Sequence, residues 1–179
     1  MNKMWRTLVV VAAAGLMLAG LSGTASASKP EAPRGLVLQA QTSRLVIISQ
    51  GGGPLLLDAH EISSMDFQVV TRPPQNDNTQ KWWLTNVGGG LYTLVQASSG
   101  RYLDAHEIAE LDYRVVTRPQ QNNDTQLWRL QDYGGAFYTI QQASSGRYLD
   151  AYQSPAQDFR AVTRPWSGAN SQVWRIVGA

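Results

Sequence analysis

The sequence contains no cysteine. A disulfide, a lipid-modified cysteine and a thiol nucleophile are therefore excluded, and the fold must be held together by burial of apolar side chains. A body of about 140 residues is long enough for this, because the buried share of the surface rises with chain length. The absence of cysteine thus fits an exported protein that needs no covalent cross-link.

The chain also lacks a long apolar run. Its longest, residues 8–21, has 14 residues, whereas a helix needs roughly 20 to cross a bilayer. Lys3 and Arg6 precede the run, and the small residues Ala25-Ser26-Ala27 follow it. This order is typical of a secretory signal peptide, so we predict a signal peptide over residues 1–27 and Ser28 as the first mature residue. A transmembrane anchor is the less favoured alternative.

An excess of one charge is missing as well. Two of the 15 Lys and Arg residues lie in the signal segment and none of the 13 Asp and Glu residues does, so the remainder has no formal net charge. A nucleic acid or an anionic membrane would favour a basic surface, and neither is predicted as a partner. Residues 28–41 are interpreted as a stiff linker at 29–33 and a lead-in strand at 35–38.

The sequence does contain three copies of one pattern with a period of 46 residues. Gln80-Lys81-Trp82 recurs as Gln126-Leu127-Trp128 and as Gln172-Val173-Trp174. The units are residues 42–87, 88–133 and 134–179; the first two share 20 identical positions and the last two share 23. A fixed period without insertions indicates three copies of one supersecondary unit.

Each unit is predicted to hold four strands, giving about twelve strands and almost no helix. In the middle unit, residues 91–95 and 101–104 form an expected hairpin around a Ser-Ser-Gly turn. Residues 113–118 form an expected third strand that stops at Pro119, and residues 126–130 a fourth; residues 107–111 could form one helical turn. Three such units bury their apolar faces together by closing the sheet around an axis, which also removes exposed edges. A three-bladed propeller is a poor alternative, since blades usually number four or more.

This pattern resembles the ricin B-type β-trefoil lectins. The likeness rests on an Asp near the end of each second strand, followed some twenty residues later by Gln-x-Trp, and it spans residues 42–179. It implies an all-β, β-trefoil fold with pseudo-threefold symmetry, in which the motif tryptophan is core and each repeat holds one shallow sugar pocket. It further implies that the Asp accepts hydrogen bonds from sugar hydroxyls, beside a stacking aromatic and an Asn before Gln-x-Trp.

Two positions depart from that family pattern. Thr79, Thr125 and Ser171 stand directly before the motif Gln, and the nearest amide or carboxylate is one residue earlier. The aromatic residue is displaced too: Phe67, Tyr113 and Phe159 open the third strand, while His or Tyr lies two residues after each Asp. The resemblance therefore yields as candidate carbohydrate-binding residues Asp58, Asp104, Asp150, His60, His106, Tyr152, Asn78, Asp124 and Asn170.

Several of these residues also have plain structural interpretations. The three aspartates can be structural residues of an Asx-type turn, which hydrogen-bond the turn that follows the strand, or can both turn the chain and bind. The Arg of each Val-Thr-Arg-Pro is favoured as an ion-pair partner of Asp66, Asp112 or Asp158. His60 and His106 occupy equivalent places in different repeats, so no metal site is predicted. Trp166 has no aromatic counterpart, since Pro74 and Gln120 stand in its place, and we add it to the candidates as an unshared stacking platform.

The predicted function is a secreted carbohydrate-binding protein that recognises glycans or polysaccharides through up to three pockets. It is not predicted to be an enzyme or to need a cofactor, because catalysis requires an asymmetric set of acid, base and nucleophile and a threefold Asp supplies none. One alternative is a β-trefoil protease inhibitor, which acts through a protruding loop that repeats without insertions do not favour. Another is a targeting subunit for a separate catalytic or toxin chain.

Overall fold

The computed structural model describes residues 41–51 and 53–179. The signal peptide, the linker and the lead-in strand predicted within residues 1–40 lie outside this range. No helix in the described ranges is long and apolar enough to cross a membrane. The described residues form twelve strands: β1 (Ser43–Gln50), β2 (Leu56–Ala59), β3 (Val69–Arg72), β4 (Lys81–Gly88), β5 (Leu91–Gln96), β6 (Tyr102–Ala105), β7 (Val115–Arg118), β8 (Trp128–Gly134), β9 (Phe137–Gln142), β10 (Tyr148–Ala151), β11 (Ala161–Arg164) and β12 (Trp174–Gly178).

Six of these strands form a closed antiparallel ring. β1 pairs with β4 and β12, β5 pairs with β4 and β8, and β9 pairs with β8 and β12. Each repeat contributes two neighbouring strands, so no repeat can close the ring alone. Ring closure leaves these strands without free edges, as expected from the sequence.

The other six strands form three hairpins, β2–β3, β6–β7 and β10–β11, each paired over four residues. Isolated bridges join the hairpins in a triangle, with Gln68 opposite Val116, Val70 opposite Arg160 and Arg114 opposite Val162. Three hairpins that meet on a pseudo-threefold axis beside a six-stranded ring define the β-trefoil. The predicted fold class, with three 46-residue repeats, is confirmed.

The motif tryptophans Trp82, Trp128 and Trp174 lie in the centre of the core and have no exposed surface. Each indole N–H donates a hydrogen bond to a carbonyl of the same repeat's second strand: to Leu57, Leu103 and Leu149, at 3.0, 3.1 and 2.9 Å. A buried indole needs such a partner for its N–H. The tryptophan therefore fastens the fourth strand of each repeat to the second.

Single turns of 3₁₀ helix connect the strands, at Ser63–Met65, Asn78–Gln80, Ala109–Leu111, Asp124–Gln126, Pro155–Gln157 and Asn170–Gln172. The turn expected within residues 107–111 is thus present. The third strand begins later than predicted, at Val115, because Asp112 and Tyr113 have φ of 53° and 49°. Such left-handed conformations interrupt an extended strand.

The predicted hairpin between residues 91–95 and 101–104 is largely wrong. β5 and β6 pair only at Val95 and Tyr102, whereas β6 pairs along its whole length with β7. Gly100, with φ of 68°, turns the chain out of the ring and into the hairpin layer. The turn was predicted correctly, but local sequence could not show that the two strands belong to different layers.

Candidate functional site

An aspartate near the end of each hairpin's first strand forms the floor of a surface hollow. Asp58, Asp104 and Asp150 have relative exposures of 6%, 5% and 7%. In each, Oδ1 accepts a hydrogen bond from the backbone N–H of the next residue at 2.7 Å. Each aspartate therefore bonds the next residue of its own strand and not a following turn. This contact leaves the second carboxylate oxygen for other partners.

The glutamine of the Gln-x-Trp motif binds that second oxygen in two repeats. Gln80 Nε2 donates to Asp58 Oδ2 at 3.2 Å and to the carbonyl of Pro73 at 2.9 Å, while its Oε1 accepts from the amide of Gln75. Gln126 makes the same set in the second repeat. In the third, Gln172 donates to Pro165 and no hydrogen bond to Asp150 is formed among the described residues. The buried glutamine thus fastens the loop after the third strand beside the aspartate.

Each aspartate opens into a concave hollow. Hollows 1, 2 and 3, numbered by repeat, have volumes of about 230, 300 and 270 Å³. Every hollow is lined by the floor Asp, the His or Tyr two residues later, the Arg that ends the third strand, and the Thr or Ser before the motif Gln. These shared lining residues are Asp58, His60, Arg72 and Thr79; Asp104, His106, Arg118 and Thr125; and Asp150, Tyr152, Arg164 and Ser171.

The walls of each hollow are held in place by the preceding repeat. In hollow 2, Arg118 Nη2 donates to Asp66 Oδ1 at 2.7 Å, and His106 Nε2 lies 2.7 Å from Asp66 Oδ2. Arg118 also donates to the backbone carbonyl of Asp66. The ion pairs predicted for the three arginines are present, and each joins two repeats. The corresponding pairs are Arg72 with Asp158 and Arg164 with Asp112.

Two of the inter-repeat carboxylates have perturbed ionisation. Partial burial works against the charged form of Asp66, but the hydrogen bond from His106 and the positive charge and hydrogen bond of Arg118 outweigh it and lower its pKa below the ordinary 3.8. At Asp112 burial is likewise outweighed, by hydrogen bonds from Tyr152 and Arg160 and by the charge of Arg164, so its pKa is also lowered. Both carboxylates are therefore held in the charged form that fixes the walls.

The hollows fall into two chemical kinds. Hollows 1 and 2 carry an imidazole and a further carboxylate, from His60 with Glu61 and from His106 with Glu107. Hollow 3 has Tyr152 and Gln153 instead. Tyr152 donates its hydroxyl to Asp112 Oδ2 at 2.7 Å, so its ring replaces the imidazole in the same inter-repeat contact. All three hollows present acceptors on the floor and donors on one wall, the arrangement that suits a ligand rich in hydroxyls.

The structure does not bring Asn78, Asp124 or Asn170 into the hollows. Each is exposed and opens its 3₁₀ turn, and the side chain of Asn78 accepts a hydrogen bond from Lys81 Nζ. Successive residues of a 3₁₀ turn point about a third of a turn apart. Thr79, Thr125 and Ser171 line the hollows, so the residue before each of them faces solvent. The polar residue at each hollow is thus one position later than the sequence predicted.

The aromatic residues before the third strand also lie elsewhere. The Arg101 guanidinium stacks 3.7 Å from the centroid of the Phe67 ring, and that of Arg147 lies 3.6 Å from the Tyr113 ring. Each of these cation–π pairs joins neighbouring repeats, so the rings are committed to packing. The flat surfaces that do line the hollows are His60, His106 and Tyr152, together with the planar guanidinium groups of their arginines.

Trp166 does not line hollow 3. It is 42% exposed and lies against Tyr148, with ring centroids 5.2 Å apart, and against Tyr133 at 6.3 Å. It belongs to a second surface feature, separate from the aspartate hollows. Over residues 41–51 and 53–179, no group of three His, Asp or Glu side chains is placed to hold a metal ion.

The fold is thus a β-trefoil with one aspartate hollow in each of its three repeats. The model of the ricin-type β-trefoil lectin domain-like family matches residues 78–162 and 124–179, together more than half of the chain. The chain belongs to this family. No curated protein matches it in sequence.

Solved structures show the same fold. ThreeFoil, a designed threefold-symmetric protein, is 28% identical with a TM-score of 0.67, over 75% of this chain and 99% of ThreeFoil. An exo-β-1,3-galactanase from Clostridium thermocellum is 21% identical with a TM-score of 0.64, over 76% of this chain and 30% of the enzyme. A Polyporus squamosus lectin, solved with the glycan Neu5Acα2-6Galβ1-4GlcNAc, is 17% identical with a TM-score of 0.65, over 77% and 50%. This chain thus spans half or less of the latter two.

Proposed function

We propose that the protein is a secreted, non-enzymatic lectin that binds glycans or polysaccharides through hollows 1, 2 and 3. The observation that carries the proposal is the same in all three repeats. A nearly buried carboxylate, positioned by the next backbone amide, lies at the floor of a polar hollow. Family membership supports carbohydrate as the ligand, and the signal-like residues 1–27 support secretion.

The hydrogen-bonding capacity of the floor fits sugar hydroxyls. An ionised carboxylate can accept about four hydrogen bonds. Asp58 accepts one from Ala59 and one from Gln80, so about two acceptor sites remain for a ligand. Charge-assisted hydrogen bonds of this kind are the stronger ones, and a pair of neighbouring hydroxyls on one sugar could use both.

The size of the hollows favours one sugar ring in each. Pockets for drug-sized ligands measure roughly 300–1,000 Å³ and bury most of the ligand, whereas the hollows measure about 230 to 300 Å³ and are open. A ligand held on one side by few contacts binds weakly. Three equivalent hollows therefore suit a ligand with many sugar ends, since several can be engaged together.

The arrangement does not favour catalysis. A glycosidase needs two carboxyl groups roughly 5–10 Å apart, one of them a general acid. Hollows 1 and 2 each contain a second carboxylate, Glu61 or Glu107, but hollow 3 has Gln153 in that place. The features common to all three hollows are those of binding: an acceptor floor, a donor wall and a flat ring.

A second candidate function is that of a targeting module for a catalytic chain. The trefoil of this chain matches 30% of the length of the exo-β-1,3-galactanase, so the same fold occurs within a larger enzyme. The binding chemistry of the hollows would be unchanged in this role. Co-purification of an enzyme with the secreted protein would distinguish it from a free-standing lectin.

The proposal is tested with a glycan array and with pull-down on insoluble polysaccharides, using the mature protein. Asp150→Asn removes the charge of a floor that Gln172 does not contact, so it should weaken binding while preserving the fold. Asp132→Asn is the matched control, because Asp132 also accepts a backbone N–H, from Gly134, but is exposed and lies outside the hollows. Loss of glycan binding in both variants, or in neither, would contradict the proposed site.

A further inference from the structure

The second surface feature is an aromatic cluster at the boundary of repeats 2 and 3. Tyr133 comes from the end of β8, Tyr148 begins β10, and Trp166 follows β11. The ring centroid of Trp166 lies 6.3 Å from that of Tyr133 and 5.2 Å from that of Tyr148. Tyr133 is 60% exposed and Trp166 42%, so the cluster presents neighbouring aromatic rings to solvent, as binding sites often do.

The fold itself does not require two of these rings, those of Tyr133 and Trp166. The counterparts of Tyr133, Tyr148 and Trp166 are Val87, Tyr102 and Gln120 at the boundary of repeats 1 and 2. The six-stranded ring and the hairpin form equally well at that boundary, with the same strand register. Tyr148 is shared by both boundaries, whereas Tyr133 and Trp166 are aromatic additions to this one, so the fold does not account for them.

The equivalent boundary shows that the fold has a groove at this place. Between repeats 1 and 2, Val87, Tyr102 and Gln120 line a groove of about 240 Å³. Asn123 lines both this groove and hollow 2, so the two lie on either side of one loop. By the 46-residue step, Tyr133 and Trp166 stand in place of Val87 and Gln120, and Tyr148 in place of Tyr102. The same repeat symmetry sets the cluster across the corresponding loop from hollow 3.

We propose that Tyr133, Tyr148 and Trp166 form a fourth glycan-binding site, which holds an equatorially linked pyranose chain by stacking. Such sugar rings expose flat faces of C–H groups that pack on aromatic rings, while the phenol and indole ends of Tyr and Trp remain able to hydrogen-bond hydroxyls. The site differs from the hollows, which recognise hydroxyls through a carboxylate. This inference rests on the proposed function in that it takes carbohydrate as the ligand.

Three β-linked hexasaccharides serve as probes: cellohexaose, laminarihexaose and chitohexaose. Affinities are measured by titration calorimetry for the mature wild-type protein and for Trp166→Ala, Trp166→Phe and Trp83→Ala. Trp83 is the matched control, since it is 44% exposed on β4 and its repeat counterparts are arginines. In parallel, quenching of tryptophan fluorescence by acrylamide is measured with and without sugar in a Trp83→Phe variant.

At least one hexasaccharide should bind, and Trp166→Ala should weaken it about tenfold, equivalent to about 1.4 kcal/mol. Trp166→Phe should retain most of the affinity, Trp83→Ala should retain all of it, and the sugar should protect Trp166 from quenching. The inference is overturned if Trp166→Ala and Trp83→Ala bind alike, or if no hexasaccharide binds. It is also overturned if Trp166→Ala only changes the sedimentation mass, because the cluster would then bind a second copy of the chain.

Combining Trp166→Ala with Asp150→Asn separates this site from the proposed function. If Asp150→Asn weakens binding and Trp166→Ala does not, hollow 3 stands and the aromatic site fails. If Trp166→Ala alone weakens binding, the aromatic site stands and hollow 3 fails. If both contribute, a chain that spans the loop should lose more in the double variant than in either single one.

Discussion

Gln80 donates a side-chain hydrogen bond to Asp58 at 3.2 Å, across 22 residues of sequence. The same contact joins Gln126 to Asp104 at 3.1 Å. Two features that recur in every repeat therefore act as one unit in repeats 1 and 2: the motif glutamine positions the aspartate and the loop beside it. Because the glutamine can only donate through its nitrogen, it requires an acceptor at the floor of hollows 1 and 2.

Asp58→Asn should therefore destabilise the protein. Whichever way the new amide is turned, its NH₂ group faces either the Ala59 N–H or the Gln80 amide, both of which are donors. A buried donor left without a partner costs about 1–3 kcal/mol. Asp150→Asn should cost less, since Gln172 does not contact Asp150. Urea denaturation of the two variants checks this, and equal losses would contradict it.

Trp128→Ala should reduce the free energy of unfolding by about 3–5 kcal/mol, the usual cost of truncating a large buried aromatic residue. The side chain is fully buried, and its loss also leaves the carbonyl of Leu103 without its indole partner. Trp83→Ala is the control, with an effect nearer the about 0.5 kcal/mol typical of surface positions. Thermal and urea unfolding measure both, and similar losses at the two positions would argue against the core assignment.

Acid should weaken the contacts between repeats. The folded-state pKa values of Asp66 and Asp112 are lowered below 3.8, so their stabilising contribution is fully present above about pH 4. It is lost as the pH falls through the lowered values, because the unfolded chain then binds protons more readily. Unfolding free energy should therefore decline below about pH 4. Asp66→Asn should flatten this decline and Asp132→Asn should not.

The repeat made much of this architecture predictable. A constant step of 46 residues fixed the three tryptophans in equivalent core positions. Four strands per unit indicated a closed all-β fold, and the resemblance to the ricin B-type lectins implied the β-trefoil. The floor aspartates could also be identified from the sequence, because each lies at the same distance before Gln-x-Trp. Each of these inferences depends on residues within a single repeat, where sequence spacing and spatial position are closely linked.

What the sequence could not show lies between repeats. His106 meets Asp66 across 40 residues and Arg118 meets it across 52, and no local pattern indicates which repeat supplies the carboxylate. The phase of a 3₁₀ turn decided that Thr79 and not Asn78 lines hollow 1. The positive φ of Tyr113 turned its ring away from the hollow and under Arg147. The sequence did single out Trp166, because the equivalent residues of the other repeats are not aromatic.

Export should leave Ser28 as the first residue. The charged start, the apolar run of residues 8–21 and the small residues before Ser28 are the signals on which a signal peptidase acts. N-terminal sequencing or intact mass of protein from the culture medium or periplasm checks the site. A secreted protein that retains Met1 would contradict the prediction, and so would retention of the protein in the membrane fraction.

Binding to a polymer should be much stronger than binding to a single sugar. One hollow offers a carboxylate and a flat side chain, few contacts for a free energy near −4 kcal/mol, which corresponds to a millimolar dissociation constant. Three hollows on one rigid domain can engage a branched or surface-bound glycan together, and avidity can then exceed one site by roughly 10²-fold.

Asp150→Asn should lower affinity for the immobilised polymer several-fold and abolish only one of the sites seen by monosaccharide titration. Surface plasmon resonance at two polymer densities measures the difference. If affinity is independent of density and the variant loses all binding, a single hollow carries recognition and the other two are structural.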